Sequence, residues 1–448
     1  MSLTYIKIMK IIFLIRKIVD YDLFSPSINY LSQQNIKILI FHNSSYPTSK
    51  MKSHLKPKIL LSPFLNINKK NIFHKNVNFK NNLESEILKS KCNYIFSAAL
   101  PEAKKNKKFY DFISKKWCLI MEGTDIYFEL KKLKLFKEFY LYKNLKINFY
   151  CWSNFFLNDI KKYLKKVDKN SYKLFISSLI NAKLSGSFFS TLKNKNVLKK
   201  KEIRKKYNIP LQKKIILYLP MPYYIQRRKG FKSAWWQILF TGIYIDHYPH
   251  LKSNFLNYTM NFLKKTSLCT MILLTIPSKI FYMFKHENEK EILKNLNLFC
   301  KKNNCYLISK PRKKLPYCDA VTKYSNLVIN DNMHKNFPTV IDEFLSISSL
   351  LITYNSSANL RGICAKVPTI NIKPDKSFFP NKNDYYWIDF SKIYNYSGVI
   401  KTMNAYNFLK IIKKNIIFKN SESKMKIYKK KLFGNLNGIS FIKKIIRN

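Results

Sequence analysis

The sequence predicts an α/β fold organised as two consecutive domains. Short apolar runs alternate with amphipathic stretches of helical length along most of the chain. The alternation is interrupted once, near residues 192–214, by a Lys-rich and weakly apolar segment. With 448 residues, of which 46% are hydrophobic, the chain is long enough to form roughly two or three domains with their own cores.

The first domain opens with a βαβ unit. Apolar runs at residues 11–15 and 36–41 flank an amphipathic segment at 22–33. Such runs predict parallel strands that are buried on both faces, with the helix as their crossover connection. Further apolar runs, separated by segments that can form helices, lie at residues 94–96, 118–121 and 147–150.

The second domain repeats this alternation. We predict strands at residues 215–219, 305–308, 327–329, 350–353 and 368–372, and helices at 255–264, 288–302, 339–346 and 358–365. The predicted boundaries are 1–195 for the first domain, 196–212 for a linker with one short helix, and 213–448 for the second domain. The alternative reading of the linker is a solvated helix face inside a single domain.

The net charge of +57 comes almost entirely from lysine. Of the 82 basic residues only seven are Arg, whereas recognition of bases and phosphates relies on the bidentate Arg fork. Abundant Lys, Asn, Ile, Phe and Tyr, with only 8 Gly, are typical of an AT-rich genome. Genome composition is our first explanation of the charge and attraction to an anionic membrane surface the second. We expect no nucleic acid partner.

The cysteines and the hydropathy indicate a cytoplasmic protein. The 8 cysteines are scattered, without a C-x-x-C pair or a His at metal-ligand spacing, so neither a disulfide framework nor a metal site is expected. No window offers about 18 uninterrupted apolar residues, and the apolar run near the N-terminus is too short for a signal peptide. We expect a protein that touches the anionic inner face of the plasma membrane without crossing it.

The carboxyl ends of the predicted strands are the first places to look for a site, because parallel sheets bind ligands there. The strongest candidate is the run 350–358, in which an apolar strand passes into Ser356 and Ser357 and then into a helix. Either serine can cap that helix, and the free N–H groups beside the hydroxyls could hold a diphosphate. The plainer alternative is that the serines only cap the helix.

Two further strand ends of the second domain carry candidate donor-binding residues. The strand at 305–308 is followed by Lys310 and Arg312, which could neutralise a nucleotide phosphate. Arg312 is the more informative of the two, because lysine is common throughout the chain. The strand at 215–219 ends in a turn that contains Pro222, which could stack against a base or a sugar, or could pack on a neighbouring helix.

In the first domain, an apolar strand runs directly into Glu122, Gly123, Thr124 and Asp125. A carboxylate at a strand end can act as general base for an acceptor hydroxyl, although a plain surface turn has the same composition. We predict that Glu122 is the base and that Asp125 orients the acceptor or the base. His42, at the end of the second predicted strand, is another acceptor-side candidate, with a purely structural histidine as the alternative.

Five segments carry motifs in a fixed order: Glu-Gly-Thr-Asp at 122–125, Gly-Ser-Phe-Phe-Ser-Thr-Leu at 186–192, a strand with a Pro turn at 213–222, a strand ending Lys-Pro-Arg at 306–312, and Glu-Phe-Leu with Leu-Ile-Thr-Tyr-Asn-Ser-Ser within 338–368. In this order they resemble the CDP-glycerol glycerophosphotransferase family, the teichoic-acid polymerases with a GT-B glycosyltransferase fold. That family has His-Gly-Thr-Pro at the first place and Leu-Ile-Thr-Asp-Tyr-Ser-Ser at the last. Glu122 and Tyr354 therefore stand where the family has a His and an Asp, and the turn at 310–312 replaces the family's second His, in its His-Pro.

The resemblance implies two Rossmann-like domains that face each other across a cleft, with C-terminal helices, here residues 433–446, packing back on the first domain. It also implies a CDP- or UDP-linked donor as substrate, with no permanently bound cofactor and no metal. The donor would contact Lys310, Arg312, Ser356, Ser357 and Pro222. The acceptor would lie beside Glu122, Gly123, Thr124, Asp125 and His42.

These observations predict a membrane-associated transferase. It would move a sugar, or a polyol phosphate, from a nucleotide-activated donor to a cell-surface polysaccharide or a lipid-linked acceptor. The alternative is a catalytically inactive GT-B scaffold protein in envelope polysaccharide assembly, which the loss of two family histidines and an Asp favours.

Overall fold

The computed structural model describes residues 9–16, 18–44, 69–102, 106–123, 126–134, 145–177, 180–186, 200–220, 289–311, 319–329, 340–354, 356–373, 393–414, 421–435 and 438–447. These residues divide into two compact units. Unit 1 contains the described residues up to 186 and those from 427 onward, and unit 2 contains the described residues between 200 and 426.

Unit 1 consists of a parallel sheet and helices. Its strands are β1 (Met9–Ile15), β2 (Ile36–Asn43), β3 (Ile72–Val77), β4 (Tyr94–Ser97), β5 (Trp117–Ile120), β6 (Ile147–Cys151) and β7 (Ile180–Leu184). The helices between them are α1 (Ile18–Ser32), α2 (Leu83–Ser90), α3 (Lys107–Ile113), α4 (Ile126–Lys131), α5 (Asn154–Val167) and α6 (Lys169–Ile176), with a 3₁₀ turn at Lys69–Asn71.

The seven described strands of unit 1 lie in the order β3-β2-β1-β4-β5-β6-β7, all parallel. β1 is an interior strand and pairs with β2 from Met9 opposite Ile36 to Ile15 opposite His42. The strand order reverses between β1 and β4. Unit 1 is therefore a doubly wound, Rossmann-like unit whose switch point lies between these two strands.

The apolar run at residues 11–15 forms most of β1, an interior strand of the sheet. Residues 11–15 are all buried, with at most 2% of any side chain exposed. Phe13 stacks on Phe96 of β4 with ring centroids 5.2 Å apart and also contacts Phe24 of α1. A strand covered by helices on both faces needs apolar side chains on both, which an alternating pattern could not supply.

Unit 2 is a second parallel sheet with helices. Its strands are β8 (Lys214–Tyr218), β9 (Cys305–Ser309), β10 (Leu327–Val328), β11 (Leu350–Tyr354), β12 (Thr369–Lys373) and β13 (Ile400–Asn404). Its helices are α7 (Lys200–Lys206), α8 (289–302), α9 (Asp319–Tyr324), α10 (Val340–Ile347), α11 (Ala358–Cys364) and α12 (Ala405–Lys413). The described strands lie in the order β10-β9-β8-β11-β12-β13, all parallel, so the switch point of this sheet lies between β8 and β11.

A buried chain of side-chain hydrogen bonds ties α11 to three strands of unit 2. Thr353 of β11 donates to Oδ1 of Asn359 over 2.5 Å, and the Asn359 amide donates to Oδ1 of Asn371 over 2.9 Å. The Asn371 amide continues the chain to the Thr402 hydroxyl over 3.2 Å. Because a buried polar group without a partner is costly, this network fixes α11 beside the carboxyl end of β11.

Two terminal helices, α13 (Glu422–Phe433) and α14 (Gly438–Arg447), complete the described chain, and α13 ends within unit 1. Ile442 and Ile445 of α14 join the hydrophobic core of unit 1. The Ser153 hydroxyl donates to the Leu432 carbonyl over 2.8 Å. The predicted return of the C-terminal helices to the first domain is confirmed.

The α/β class and the two Rossmann-like sheets predicted from the sequence are confirmed. The first helix begins at Ile18, four residues before the predicted start at 22. Three strands, β3, β7 and β13, were not predicted. The predicted helix at 255–264 lies outside the described residues. The predicted cleft and the predicted domain boundaries stay predictions.

Candidate active site

Arg16 lies directly after β1, beside the switch point of the unit 1 sheet. Its Nη2 atom is 3.2 Å from Oδ1 of Asp20 and 3.4 Å from Oε2 of Glu122. Its Nη1 atom is 3.5 Å from Oε1 of Glu129. One guanidinium thus contacts three carboxylates, and we call these four residues the Arg16 cluster.

Asp20 is the most deeply buried member of the Arg16 cluster, with its side chain 0% exposed. It lies in the first turn of α1 and accepts the backbone N–H of Arg16 over 2.7 Å. It also accepts the Nε–H of the Arg16 side chain over 3.3 Å. These bonds fix the turn between β1 and α1 and hold the guanidinium close to its own backbone.

Glu122 and Glu129 approach Arg16 from other elements. Glu122 follows β5, beside the buried Gly123, and is 7% exposed. Glu129 of α4 accepts the backbone N–H of Leu100 over 3.3 Å and binds Lys132 over 2.8 Å. Three carboxylates here face two cations, so the cluster with Lys132 carries one net negative charge when every group is ionised.

The electrostatics of the cluster favour charge on Arg16. Burial opposes that charge, but Asp20, Glu122 and Glu129 together outweigh it and raise the pKa of Arg16 above its ordinary value. The guanidinium in turn favours the ionised form of Glu122, whereas the other two carboxylates oppose it. The Arg16 side chain is 21% exposed, so the cluster is accessible to solvent.

His42 is the last but one residue of β2 and lies opposite Ile15 of β1. Its Nε2 is 2.9 Å from Nδ1 of His74 on β3, and the two rings stack with centroids 5.2 Å apart. Burial, with a smaller contribution from His74, lowers the pKa of His42 to about 3. Burial also lowers the pKa of His74. Both rings are therefore neutral at neutral pH, and the acceptor-side role of His42 stays a prediction.

Three of the predicted donor residues, Lys310, Ser356 and Ser357, follow strands of unit 2 at the carboxyl edge of its sheet. Lys310 follows β9, and its backbone N–H donates to the Tyr218 carbonyl over 2.9 Å. Ser357 occupies the N-cap position of α11 without a side-chain cap bond. Ser356, which is buried, instead accepts the Ala358 N–H through its hydroxyl over 3.2 Å. Lys310 and the serines are thus separated by β8.

A buried polar group that the sequence did not reveal lies at the switch point of unit 2. Tyr218 ends β8, and Tyr354 ends the neighbouring β11. The Tyr218 hydroxyl donates to Oε1 of Glu289 over 3.0 Å and lies 3.1 Å from the Tyr354 hydroxyl. Burial, Glu289 and Tyr354 all raise the pKa of Tyr218 well above its ordinary value, so the phenol stays protonated.

Four of the predicted site residues, Pro222, Arg312, Thr124 and Asp125, lie outside the described residues. Across the described part of the chain, no group of three or more His, Cys, Asp and Glu side chains is arranged to hold a metal ion. None of the helices in those ranges is long and apolar enough to cross a membrane.

Sequence reasoning missed Arg16 and Glu129. A signal for Arg16 was present, because it is one of seven Arg residues in a Lys-rich chain and directly follows the first apolar run. Glu129 carried no local signal, since its role depends on where α4 lies relative to β1.

No protein-family model matches the chain, and no curated protein matches it. Among solved structures, it is similar to a UDP-GlcNAc 2-epimerase from Neisseria meningitidis bound to UDP-GlcNAc, with 11% identity, 98% of this chain and 99% of that chain covered, and a TM-score of 0.49. It is also similar to a glycosyltransferase from Rickettsia africae, with 13% identity, 98% and 97% covered, and a TM-score of 0.47. It is similar as well to the wall teichoic acid polymerase TagF, with 14% identity, 98% of this chain and 88% of that chain covered, and a TM-score of 0.46. The fold of this chain is assigned from its own sheet topology.

Proposed function

We propose that the protein is a transferase that moves a sugar from a nucleotide-activated donor to a hydroxyl group of a polysaccharide or lipid-linked acceptor. The observation that carries the proposal is the Arg16 cluster, which holds the carboxylate of Glu122 beside the switch point of a doubly wound sheet. Such folds bind ligands at this place. A carboxylate there can accept the proton of an attacking hydroxyl.

The charges of the two units support the binding of the acceptor by one unit and of the donor by the other. The Arg16 cluster carries net negative charge and would repel a diphosphate, but its carboxylate oxygens can accept hydrogen bonds from hydroxyl groups. The carboxyl edge of unit 2 instead carries Lys310, followed in the sequence by Arg312. We therefore assign the acceptor to unit 1 and the donor to unit 2.

The chemistry follows from this assignment. The acceptor hydroxyl oxygen attacks the anomeric carbon of the donor sugar, and Glu122 takes the hydroxyl proton. The bond between that carbon and the diphosphate breaks, and its electron pair leaves with the nucleoside diphosphate. Lys310, Arg312 and the hydroxyls of Ser356 and Ser357 would stabilise the negative charge of the leaving group.

The resemblance to the CDP-glycerol glycerophosphotransferase family supports the finer parts of the proposal. It favours a CDP- or UDP-linked donor and an envelope polymer as acceptor, with transfer of a polyol phosphate as the second option. The excess of lysine in the chain would favour contact with the anionic inner face of the plasma membrane, where a lipid-linked acceptor would be found. Asp125 and Thr124 would contact the acceptor, and Pro222 the donor.

An inactive scaffold is the second candidate. Two structural observations favour it. Glu122, the assigned base, is already paired with Arg16. Tyr354, which stands where the resembled family has an Asp, is buried against Tyr218. A scaffold would keep the binding of a nucleotide-activated donor and lose its turnover.

The experiment that separates the two is a donor panel. Purified protein is incubated with CDP- and UDP-linked donors, and binding, donor hydrolysis and transfer to added saccharide or lipid-linked acceptors are measured. We expect at least one donor to be turned over. Binding without any turnover would support the scaffold, and absence of binding to every donor would contradict both functions.

A further inference from the structure

We propose that Arg16 is the positioning residue of the unit 1 site, which holds the Glu122 side chain ionised and fixed beside the switch point. The inference rests on the proposed function in one respect, because it concerns the group that we assign as base. Its test reads the Glu122 side chain directly and does not require turnover.

The guanidinium is itself held in place by the chain around it. The Asp20 carboxylate accepts three hydrogen bonds from Arg16, donated by its backbone N–H and by Nε and Nη2 of its side chain. All three lie within the turn that connects β1 to α1. Glu129 contacts Nη1 from the opposite end of the fork. Glu122 therefore meets a cation whose position is set by two other carboxylates.

The Glu122 backbone is anchored as well. Met121, the residue before it, donates its backbone N–H to the Tyr150 carbonyl of β6 over 3.1 Å, which extends the strand pairing beyond β5. The strand pairing thus fixes the backbone next to Glu122. The contact between Glu122 and Arg16, at 3.4 Å, fixes the carboxylate at the end of the side chain. Both the backbone and the charged group are constrained.

Arginine is the residue type that this geometry requires. A planar fork reaches carboxylates in three directions, whereas a lysine ammonium is a point charge on a flexible stem. Lysine supplies nearly all the other positive charge of this chain. The presence of Arg, and not Lys, at the position that contacts three carboxylates therefore supports a specific role for the guanidinium. Within the described residues, the ion pairs that surround Glu122 involve Arg16, Asp20 and Glu129, and Lys132 pairs with Glu129.

Removal of the guanidinium should therefore make Glu122 harder to ionise. The nearby opposite charge would be lost while two like charges remain, and an opposite charge within about 4–6 Å moves a carboxyl titration by roughly 1–3 pH units. We expect the Glu122 titration midpoint in Arg16→Met to rise by at least ~1 pH unit. The measurement is a carbon NMR titration of protein labelled at the glutamate carboxyl carbon, with Glu122→Gln used to assign the signal.

Matched variants identify the cause of the shift. Lys132→Met also removes one positive charge, but Lys132 pairs with Glu129 and not with Glu122 in the described ion pairs. This variant should therefore shift the Glu122 midpoint much less than Arg16→Met does. Arg16→Lys restores the charge without the fork and should restore the midpoint only in part. Asp20→Asn keeps the guanidinium and removes one competing carboxylate, so the midpoint should fall; this variant tests the inference even where Arg16→Met does not fold.

The outcomes separate the inference from the proposed function. An unchanged midpoint in folded Arg16→Met, or a midpoint that does not fall in Asp20→Asn, overturns the positioning role. A midpoint that rises in Arg16→Met and falls in Asp20→Asn supports it, and a midpoint that falls in Arg16→Met overturns it. Where the acidic limb of the transfer rate against pH moves with that midpoint, Glu122 is also supported as base. Where the midpoint moves but the limb does not, the positioning role stands and the assignment of Glu122 as base fails.

Discussion

Replacing His42 with Leu should reduce the loss of folding stability at acidic pH. In the folded protein the pKa of His42 is lowered to about 3, against an ordinary value of 6.5 in the unfolded chain. Between these two values the unfolded chain binds a proton that the folded chain does not. The contribution of neutral His42 to folding stability is therefore fully present above about pH 6.5, and it decreases as the pH falls from there toward about 3.

The size of the effect follows from the same two values. One pH unit of such a difference corresponds to about 1.4 kcal/mol, so lowering the pH from about 7.5 to about 5 should cost about 2 kcal/mol through His42 alone. The side chain is only 1% exposed, so solvent screening reduces this little. The lowered pKa of His74 adds a cost of the same sign.

Urea unfolding at the two pH values measures the effect. The free energy of unfolding should fall by about 2 kcal/mol less in His42→Leu than in the wild-type protein over this interval. Phe41→Leu is the matched control, because it truncates a buried neighbour on β2 and should cost the same at both pH values. The reasoning is refuted if His42→Leu keeps the full wild-type dependence on pH.

Three further predictions concern unit 2, the C-terminal helices and the donor. Asn359→Leu should lower the free energy of urea unfolding by about 1–3 kcal/mol, because Thr353 and Asn371 lose a buried hydrogen-bond partner. The control Ile363→Val, on the same helix, should lower it by about 0.5–1.5 kcal/mol. A smaller loss in Asn359→Leu than in this control would contradict the prediction. Gly434→Ala should destabilise by more than about 1 kcal/mol in thermal unfolding, since φ is +70° and the new Cβ would lie 2.8 Å from the Trp152 carbonyl oxygen. Gly398→Ala, with φ +78° but a nearest atom at 3.1 Å, should cost less, and an equal cost would remove the clash from the explanation. Arg312→Ala should weaken donor binding by about 1.5–3 kcal/mol in calorimetry, and unchanged affinity would remove Arg312 from the site.

Which strands could be predicted depended on their place in the sheet. The central strands were found because they are buried on both faces and read as uninterrupted apolar runs, as residues 11–15 do. The strands that were missed, β3, β7 and β13, all lie at the edges of the sheets formed by the described strands. An edge strand is less covered, so β3 keeps Phe73 and Lys75 exposed and shows no apolar run.

The candidate site was predictable only in part. Glu122 could be found because a carboxylate directly after an apolar strand is visible in the sequence. Its partner Arg16 could not be assigned, since β4 lies between β1 and β5 in the sheet and the strand order is not written in any local pattern. The same holds for Tyr218 and Tyr354, which meet because β8 and β11 are neighbours although they lie far apart in the chain.

The central claim is that Glu122 takes the proton of an acceptor hydroxyl during transfer from a nucleotide-activated donor. The most direct test is the transfer rate of Glu122→Gln at saturating donor, with donor affinity measured in parallel. Glu86→Gln is the matched control, because Glu86 lies on α2 and pairs with Lys75. We predict that Glu122→Gln loses ~10²–10⁴ in turnover with nearly unchanged donor affinity, while Glu86→Gln keeps the wild-type rate. A wild-type transfer rate in Glu122→Gln would contradict the account.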